Sequence, residues 1–543
     1  MNISNCATSR FLRVVRHSVF VFALAFIGLD VDAQSTVRGM VHDGETNHPI
    51  PLANVSVVGS TMGTATDAHG EFRFELPDGK YTLAISALGY EKVNRDIVVS
   101  DEGERSKASV HIALYPTILL HQEVLVEGRS NKTGDLAANG STTSTEDLMD
   151  HVPGVDFLER ANFGWEPVIR GMNGGQVGLV IDGVKVIGAC VDKMDPTSSY
   201  VEVENLEKLE LTKGGFDLSQ SSQIGGSVNL VTEKPNFNRR FQAAVESGFE
   251  SAASLRRIRG VVGASHKNTS VRGSFSFKQA DDFKTGEGSS VFNSGFAKNN
   301  AKLDLTRRLG LGHSVTASFL ADNAWDIGYP VLLMDATLAQ ARIYSLTHNW
   351  TGNRGILGSV ETKIYANTVD HWMDDYKRDV DQRLVMRSMN MPMYGSTRTS
   401  GGISTIEAKS GRHGFSLTLD AYRTKSFGEM YMFSTIDRIP DMYLLNLGDV
   451  VVNNGAVAGE YRIQIAARVK AQFSARLDVS TRDVENEQAQ AILGGRWSLE
   501  SLGRSYAIPG LSGTAEYELS TGSFLRISVA DVGRLPTHVE NYG

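Results

Sequence analysis

The chain has 543 residues, 41% of them hydrophobic and 21% charged, and carries a formal net charge of −8. That length calls for several domains, and the acidic balance gives no sign of a nucleic-acid partner. Its 54 glycines against 13 prolines suit many short strands and turns, and no run of about eighteen apolar residues exists to make a helical membrane span.

Arg10, Arg13 and Arg16 precede the apolar run Val19-Phe-Val-Phe-Ala-Leu-Ala-Phe-Ile-Gly-Leu29 and the small-residue site Val31-Asp-Ala-Gln34. A basic start, an apolar middle and small residues at a cut site predict a signal peptide over residues 1–33; a buried helix is the plainer alternative. Cleavage after Ala33 removes Cys6 and leaves Cys190 as the one cysteine of an exported chain. A single thiol forms no internal disulfide, so it calls for another explanation.

Residues 34–116 read as a small β-sandwich. Val37-Arg-Gly-Met-Val41, Ala53-Asn-Val-Ser-Val-Val58, Gly70-Glu-Phe-Arg-Phe-Glu75, Tyr81-Thr-Leu-Ala-Ile85 and Ile97-Val-Val99 are short alternating runs between turn residues. Thr66-Asp-Ala-His-Gly-Glu-Phe72 and Gly89-Tyr90 resemble the carboxypeptidase-regulatory-like domain, a non-catalytic accessory sandwich. No His-Glu-x-x-His zinc motif occurs, and His42, His48 and His69 are expected to be solvated loop residues. Residues 117–145 follow as an apolar extended piece, His121-Gln-Glu-Val-Leu-Val-Glu-Gly128, and a polar tail from Asn131 to Thr145.

Residues 146–236 hold Trp165-Glu-Pro-Val-Ile-Arg-Gly171, Val177-Gly-Leu-Val-Ile-Asp-Gly183, Val203-Glu-Asn-Leu-Glu-Lys-Leu-Glu-Leu-Thr-Lys-Gly214 and Ile224-Gly-Gly-Ser-Val-Asn-Leu-Val-Thr232. Short apolar strands, glycine turns and an Ile-Asp-Gly step in this order resemble the plug domain of TonB-dependent outer-membrane receptors. The resemblance implies that Gln122, Glu123, Val124, Leu125, Val126 and Glu127 form a TonB box. Such a box is an unpaired strand that adds to a sheet edge of the TonB-ExbB-ExbD complex and transmits pull. Read without that context, the segment is equally a further strand of the preceding sandwich.

From residue 237 to 543 the texture is period-two alternation: Phe241, Ala243, Val245 and Phe249; Val271, Gly273, Phe275 and Phe277; Phe415, Leu417, Leu419 and Ala421. Runs of this kind fit a transmembrane β-barrel in outer-membrane lipid, where closure satisfies every backbone group; a soluble multi-hairpin sandwich has the same periodicity. The predicted fold class is thus dominated by β-structure: sandwich, α+β plug and antiparallel barrel. Plugged transporters have about twenty-two strands. Residues 241–543 suffice for roughly thirteen or fourteen, and Gly533-Arg-Leu-Pro-Thr-His-Val-Glu-Asn-Tyr542 resembles a stretch well inside such barrels. The expectation is a receptor whose barrel is incomplete at the C-terminus.

Two spacings suggest a ligand. Cys190 and Met194 are four apart in Gly188-Ala-Cys-Val-Asp-Lys-Met-Asp-Pro196, so one helical turn or a tight loop turns both sulfurs the same way. Thiolate plus thioether suits Cu(I) and suits iron or magnesium poorly. The alternative is a buried cysteine beside a gap-filling methionine. In Val369-Asp-His371-Trp372-Met373-Asp-Asp375, a strand over roughly 358–369 that runs on would put His371 and Met373 on one face. Eight of the 15 methionines fall within 373–442, and the polar spacing of Met386, Met389, Met391 and Met393 reads as an outer loop that weakly collects soft cations, adaptable packing being the alternative.

A Cys-x-x-x-Met in the plug with a His-x-Met from the barrel resembles the arrangement of outer-membrane copper receptors. The resemblance gives Cys190, Met194, His371 and Met373 the role of metal ligands, with copper as transported ligand and no catalytic cofactor. The implied protein is a Gram-negative outer-membrane importer and not an enzyme, with its N-terminal sandwich in the periplasm. A receptor for a siderophore, vitamin or other chelate is the competing reading, and a surface binding or adhesion protein a more distant one.

Overall fold

Strand formation follows the alternation closely, and its outcome differs between the two halves of the chain. The computed structural model describes residues 34–542 apart from short breaks, the longest at 100–108, 115–122 and 127–144. The expected signal peptide lies outside the described residues. The chain divides into two units, residues 1–119 and 120–543.

The first unit holds β1 (Gln34–Asp43), β2 (Asn54–Val57), β3 (Gly63–Ala65), β4 (Glu71–Pro77), β5 (Gly79–Ser86), β6 (Val93–Val99) and β7 (Ser109–Leu114). They form one sheet in the order β4-β1-β7 and another in the order β3-β2-β5-β6. Val41, Val55, Leu76, Leu83, Ile85 and Leu114 share their core. Gly39 stands opposite Phe72, whose ring would lie 2.4 Å from a Cβ at that position, so a side chain there would expel the phenylalanine. The sequence signal places a strand only at Ile97–Val99, but β6 begins at Val93. Its polar residues Asn94, Arg95 and Asp96 are exposed, which hid the strand's start. His48 and His69 are exposed and His42 is half-buried.

The second unit begins with β8 (Glu123–Val126), β9 (Val155–Glu159), β10 (Trp165–Ile169), β11 (Val177–Ile181), β12 (Val184–Lys185), β13 (Leu206–Lys213) and β14 (Gly226–Thr232). A five-stranded sheet runs β12-β11-β14-β13-β8, and β9 and β10 pair separately. The Ile-Asp-Gly step is a two-residue hairpin turn: Ile181 pairs with Val184, and Asp182 and Gly183 have φ of 51° and 76°. Both central residues of such a turn need positive φ, which Asp and Gly tolerate. The Asp182 carboxylate accepts from the Thr232 amide at 3.0 Å and the Thr232 hydroxyl at 2.6 Å, pinning the turn to β14.

The extended piece expected to stay unpaired is paired. Residues 123–126 lie antiparallel on β13, Val126 opposite Leu209 and Glu123 opposite Thr212. An apolar segment with unused backbone groups takes the nearest open sheet edge, here β13. Gln122 and Glu127 lie outside the described residues.

The remaining strands are β15 (Phe241–Glu250), β16 (Leu255–His266), β17 (Thr269–Ala280), β18 (Phe296–Gly310), β19 (His313–Ile327), β20 (Asp335–Thr351), β21 (Leu357–Asp374), β22 (Met389–Asn390), β23 (Met393–Ser410), β24 (His413–Ser434), β25 (Met442–Ala466), β26 (Val469–Val484), β27 (Arg504–Ser520) and β28 (Ser523–Val532). They make one 14-stranded sheet, each strand beside its sequence neighbour, except that β22 stands off the path and pairs with β24. Polarity is inverted relative to a soluble sandwich. Val245, Phe275, Ile364, Phe473 and Val529 are exposed outside, while Arg272, Lys298, Asp304, Asn367 and Arg476 are buried within. Apolar-out and polar-in alternation belongs to strands facing lipid. No helix of the described residues is long and apolar enough to cross a membrane.

The plug packs against this wall through apolar and charged contacts. Leu209, Leu211, Val228 and Leu230 share a core with Leu320, Ile343, Tyr365 and Val369 of the barrel. Glu202 of the plug, buried, pairs with Lys278 and Lys298 of β17 and β18, the latter at 3.0 Å. Removing one partner of a buried ion pair costs on the order of 3–5 kcal/mol. Glu202→Gln is therefore expected to lower the thermal midpoint of the detergent-solubilised protein, as followed by circular dichroism; an unchanged midpoint would show that the pair does not hold the plug.

Candidate metal centre

The inner face of β21 carries every second side chain from Lys363 to Met373, and Lys363, Tyr365, Asn367, Val369, His371 and Met373 are all buried. Three polar groups on the wall hold plug carbonyls in succession. Lys363 Nζ donates to Asp182 O, Asn367 Nδ2 to Lys185 O at 2.8 Å, and Thr397 Oγ1 of β23 to Ile187 O at 2.5 Å. The plug segment after the Asp182 turn is thereby hung along β21 and β23 towards His371.

The next step needs a glycine. Gly395 is the cross-strand partner of His371, and a Cβ on it would lie 2.3 Å from Ala189 O. Its bare backbone lets the plug reach the wall just where the histidine projects. The chain then turns: Lys193 N donates to Cys190 O at 3.1 Å, with Lys193 at φ 52°. Cys190 and Met194 thus sit on a tight turn and not on a helix. Lys193 Nζ pairs with Glu166 of β10 at 2.9 Å, and Tyr329 of the β19–β20 connection donates its hydroxyl to Met194 O at 2.8 Å.

Cys190, Met194, His371 and Met373 are 5%, 1%, 0% and 2% exposed. Cys190, Met194 and Met373 pack in one cluster with Met393 and Tyr329. A ring nitrogen of His371, Cys190 Sγ and a carboxylate oxygen of Asp195 lie within 4.8 Å of one another. Among the described residues, neither ring nitrogen of His371 nor Asp195 Oδ1 has a hydrogen-bond partner, although all three are buried. Unpaired buried polar atoms are costly, so such a cluster is suited to a ligand that satisfies them. One nitrogen and three sulfurs favour a soft monovalent cation such as Cu(I). Asp195 escaped the sequence reading because an acid before proline reads as a turn residue; its only signal was adjacency to Met194.

The methionines divide. Met386 is exposed in the connection before β22, but Met389, Met391 and Met393 are buried, so the expected polar outer loop is folded inward. The buried Asp375 organises it, pairing with Arg383 at 2.7 Å and accepting from the Met391 amide at 2.9 Å. Met389, Met391 and Met432 form a second thioether cluster. Met334 and Met430 flank both clusters, and Met373, Met393 and Met430 face one another across three strands. Beside Cys190 and Asp195 a cavity of about 300 Å³ opens, bounded also by Lys185, Lys193, Arg482 and His538.

Overpacking a close contact costs about 1–3 kcal/mol. Gly395→Val should push Ala189 from the wall and speed maleimide labelling of Cys190 by roughly five- to a hundredfold. Labelling at the parental rate would show that Gly395 does not seat the loop.

Comparison with known proteins agrees with this architecture. Residues 37–126 match the CarboxypepD_reg-like domain and residues 128–227 the TonB-dependent Receptor Plug Domain. The TonB-dependent receptor SusC of Bacteroides thetaiotaomicron is 26% identical over 244 residues, which cover 40% of this chain and 23% of that protein. Among solved structures, the copper transporter OprC superposes with a TM-score of 0.64 at 19% identity, over 74% of this chain and 61% of that one. The FrpB iron transporter from Neisseria meningitidis gives 0.56 at 11% identity, over 74% and 63%. The chain spans less than two thirds of the length of each of these relatives. The chain therefore carries a CarboxypepD_reg-like domain, then a TonB-dependent receptor plug domain, and its second unit has the plug-and-β-barrel fold seen in OprC and FrpB.

Proposed function

We propose that this protein imports copper from the cell exterior to the periplasm, binding it as Cu(I) through Cys190, Met194, His371 and Met373. The carrying observation is the convergence of plug and barrel donors in one buried, sulfur-rich pocket. The likeness to OprC, described as a copper transporter, supports the same reading. Near-complete burial of the four donors suits a bare ion better than a bulky siderophore. Met389, Met391 and Met393 would hold the ion weakly on its way in. Removal of the cargo would follow when the TonB-ExbB-ExbD complex engages residues 122–127 and draws on the plug; no covalent chemistry is required.

The purified, reduced protein should hold about one copper ion per chain, since donors already brought together by the fold bind without folding cost, the Cys190 thiol releasing its proton as the ion binds. Cys190→Ala and His371→Ala should each reduce that content to a small fraction, read by elemental analysis. Parental copper content in both variants would refute the assignment. Deleting residues 122–127 should leave copper binding intact and abolish cellular accumulation. Uptake at the parental rate would remove energy coupling through that segment.

A further inference from the structure

Asp195 belongs to none of the four proposed ligand positions, yet it is the plug's one acidic side chain in the pocket's metal-compatible group. It is 1% exposed. Its Oδ2 accepts the Tyr200 hydroxyl at 2.9 Å and lies 3.4 Å from His371 Nδ1. The tyrosine is itself fixed: its hydroxyl also reaches Asp195 O at 3.0 Å, and its carbonyl accepts from Asn300 Nδ2 at 2.9 Å. Between the two residues, Pro196 and the short 3-10 turn Thr197–Tyr200 fold the chain back, with Thr197 Oγ1 donating to Val186 O at 3.0 Å. The carboxylate is therefore held from the plug side through Oδ2, the same oxygen that stands beside a barrel histidine.

A ligating imidazole offers one nitrogen to the metal, and the other nitrogen's hydrogen bond decides which. A carboxylate at Nδ1 selects the Nδ1–H tautomer and leaves the Nε2 lone pair for the ion. At 3.4 Å the contact lies just outside hydrogen-bond range, and a shift of a few tenths of an ångström would close it.

We propose that Asp195, held by Tyr200, is a positioning residue that fixes His371 in the Nδ1–H tautomer and directs Nε2 to the bound ion. This rests on reading the pocket as the copper site. The interaction crosses from plug to barrel, so the imidazole is set for binding only while the plug is seated. Tyr200 and Asp195 take no part as ligands.

The test uses the full chain in detergent micelles with Cu(I), its affinity read by competition with a chromogenic chelator. Loss of such an outer partner typically costs 10–100-fold in metal affinity, and Asp195→Ala should weaken binding by about that factor. Asp195→Asn, near in volume and still able to accept a hydrogen bond, should recover part of the loss. Nitrogen-15 histidine spectra, with the His371 signals assigned by difference against His371→Gln, should show Nδ1 protonated and Nε2 coordinated in the parent. In Asp195→Ala that pattern should change, which a mere loss of stability would not produce. Parental affinity in Asp195→Ala, Nδ1 coordination in the parent, or an oxygen ligand in X-ray absorption that disappears in Asp195→Ala would each overturn the proposal. If the parent itself binds no Cu(I), the copper assignment fails first; if it binds and Asp195→Ala binds equally, only the positioning role fails.

Discussion

Because a strand presents only every second residue to one side, β21 offers the interior a fixed series from Lys363 to Met373. Two members of that series, Lys363 and Asn367, grip the carbonyls of Asp182 and Lys185. Two later members, His371 and Met373, are then left pointing at whatever the plug delivers next. Hydrogen bonds from wall side chains to plug carbonyls thus set the alignment that the sulfur and nitrogen donors depend on. Thr397 and Gly395 of the neighbouring strand extend the same track, one by holding Ile187 O and the other by standing aside for Ala189.

Much of this was legible before any coordinates. Period-two alternation marks the strands, and it alone puts His371 and Met373 on one face. The Cys190–Met194 spacing announces that two sulfurs can point together on a helical turn or a tight loop, and the turn through Lys193 is the second of these. What was not legible depends on partners far away in sequence. The segment Glu123–Val126 looks unattached until β13, some distance along the chain, offers an edge. Met389, Met391 and Met393 look solvated because Ser388, Asn390 and Pro392 separate them, and only the ties from Asp375 to Arg383 and Met391 fold them in. Asp195 is hidden for the same reason, since its meaning comes from Tyr200 and from a barrel residue.

The barrel interior is densely ionic where it meets the plug. Arg476 bonds Asp478 and reaches the carbonyls of Leu218 and Ser219, while Ser222 donates to Asp478 at 3.1 Å. Contacts of this kind are strong while paired and costly when half-broken. They favour a plug that is either seated as a whole or released in pieces whose charges water can reach. The cavity beside Cys190 and Asp195 interrupts that packing next to the proposed metal centre.

The donors are shared out between two bodies, Cys190 and Met194 on one and His371 and Met373 on the other. Coordination distances tolerate only about 0.2 Å of error. If these four hold copper as proposed, a displacement of the plug by a single bond length would unclasp it without any change of acidity, redox state or competing ligand. On that reading the pocket would serve as its own release mechanism: grip and letting go become two readings of one separation.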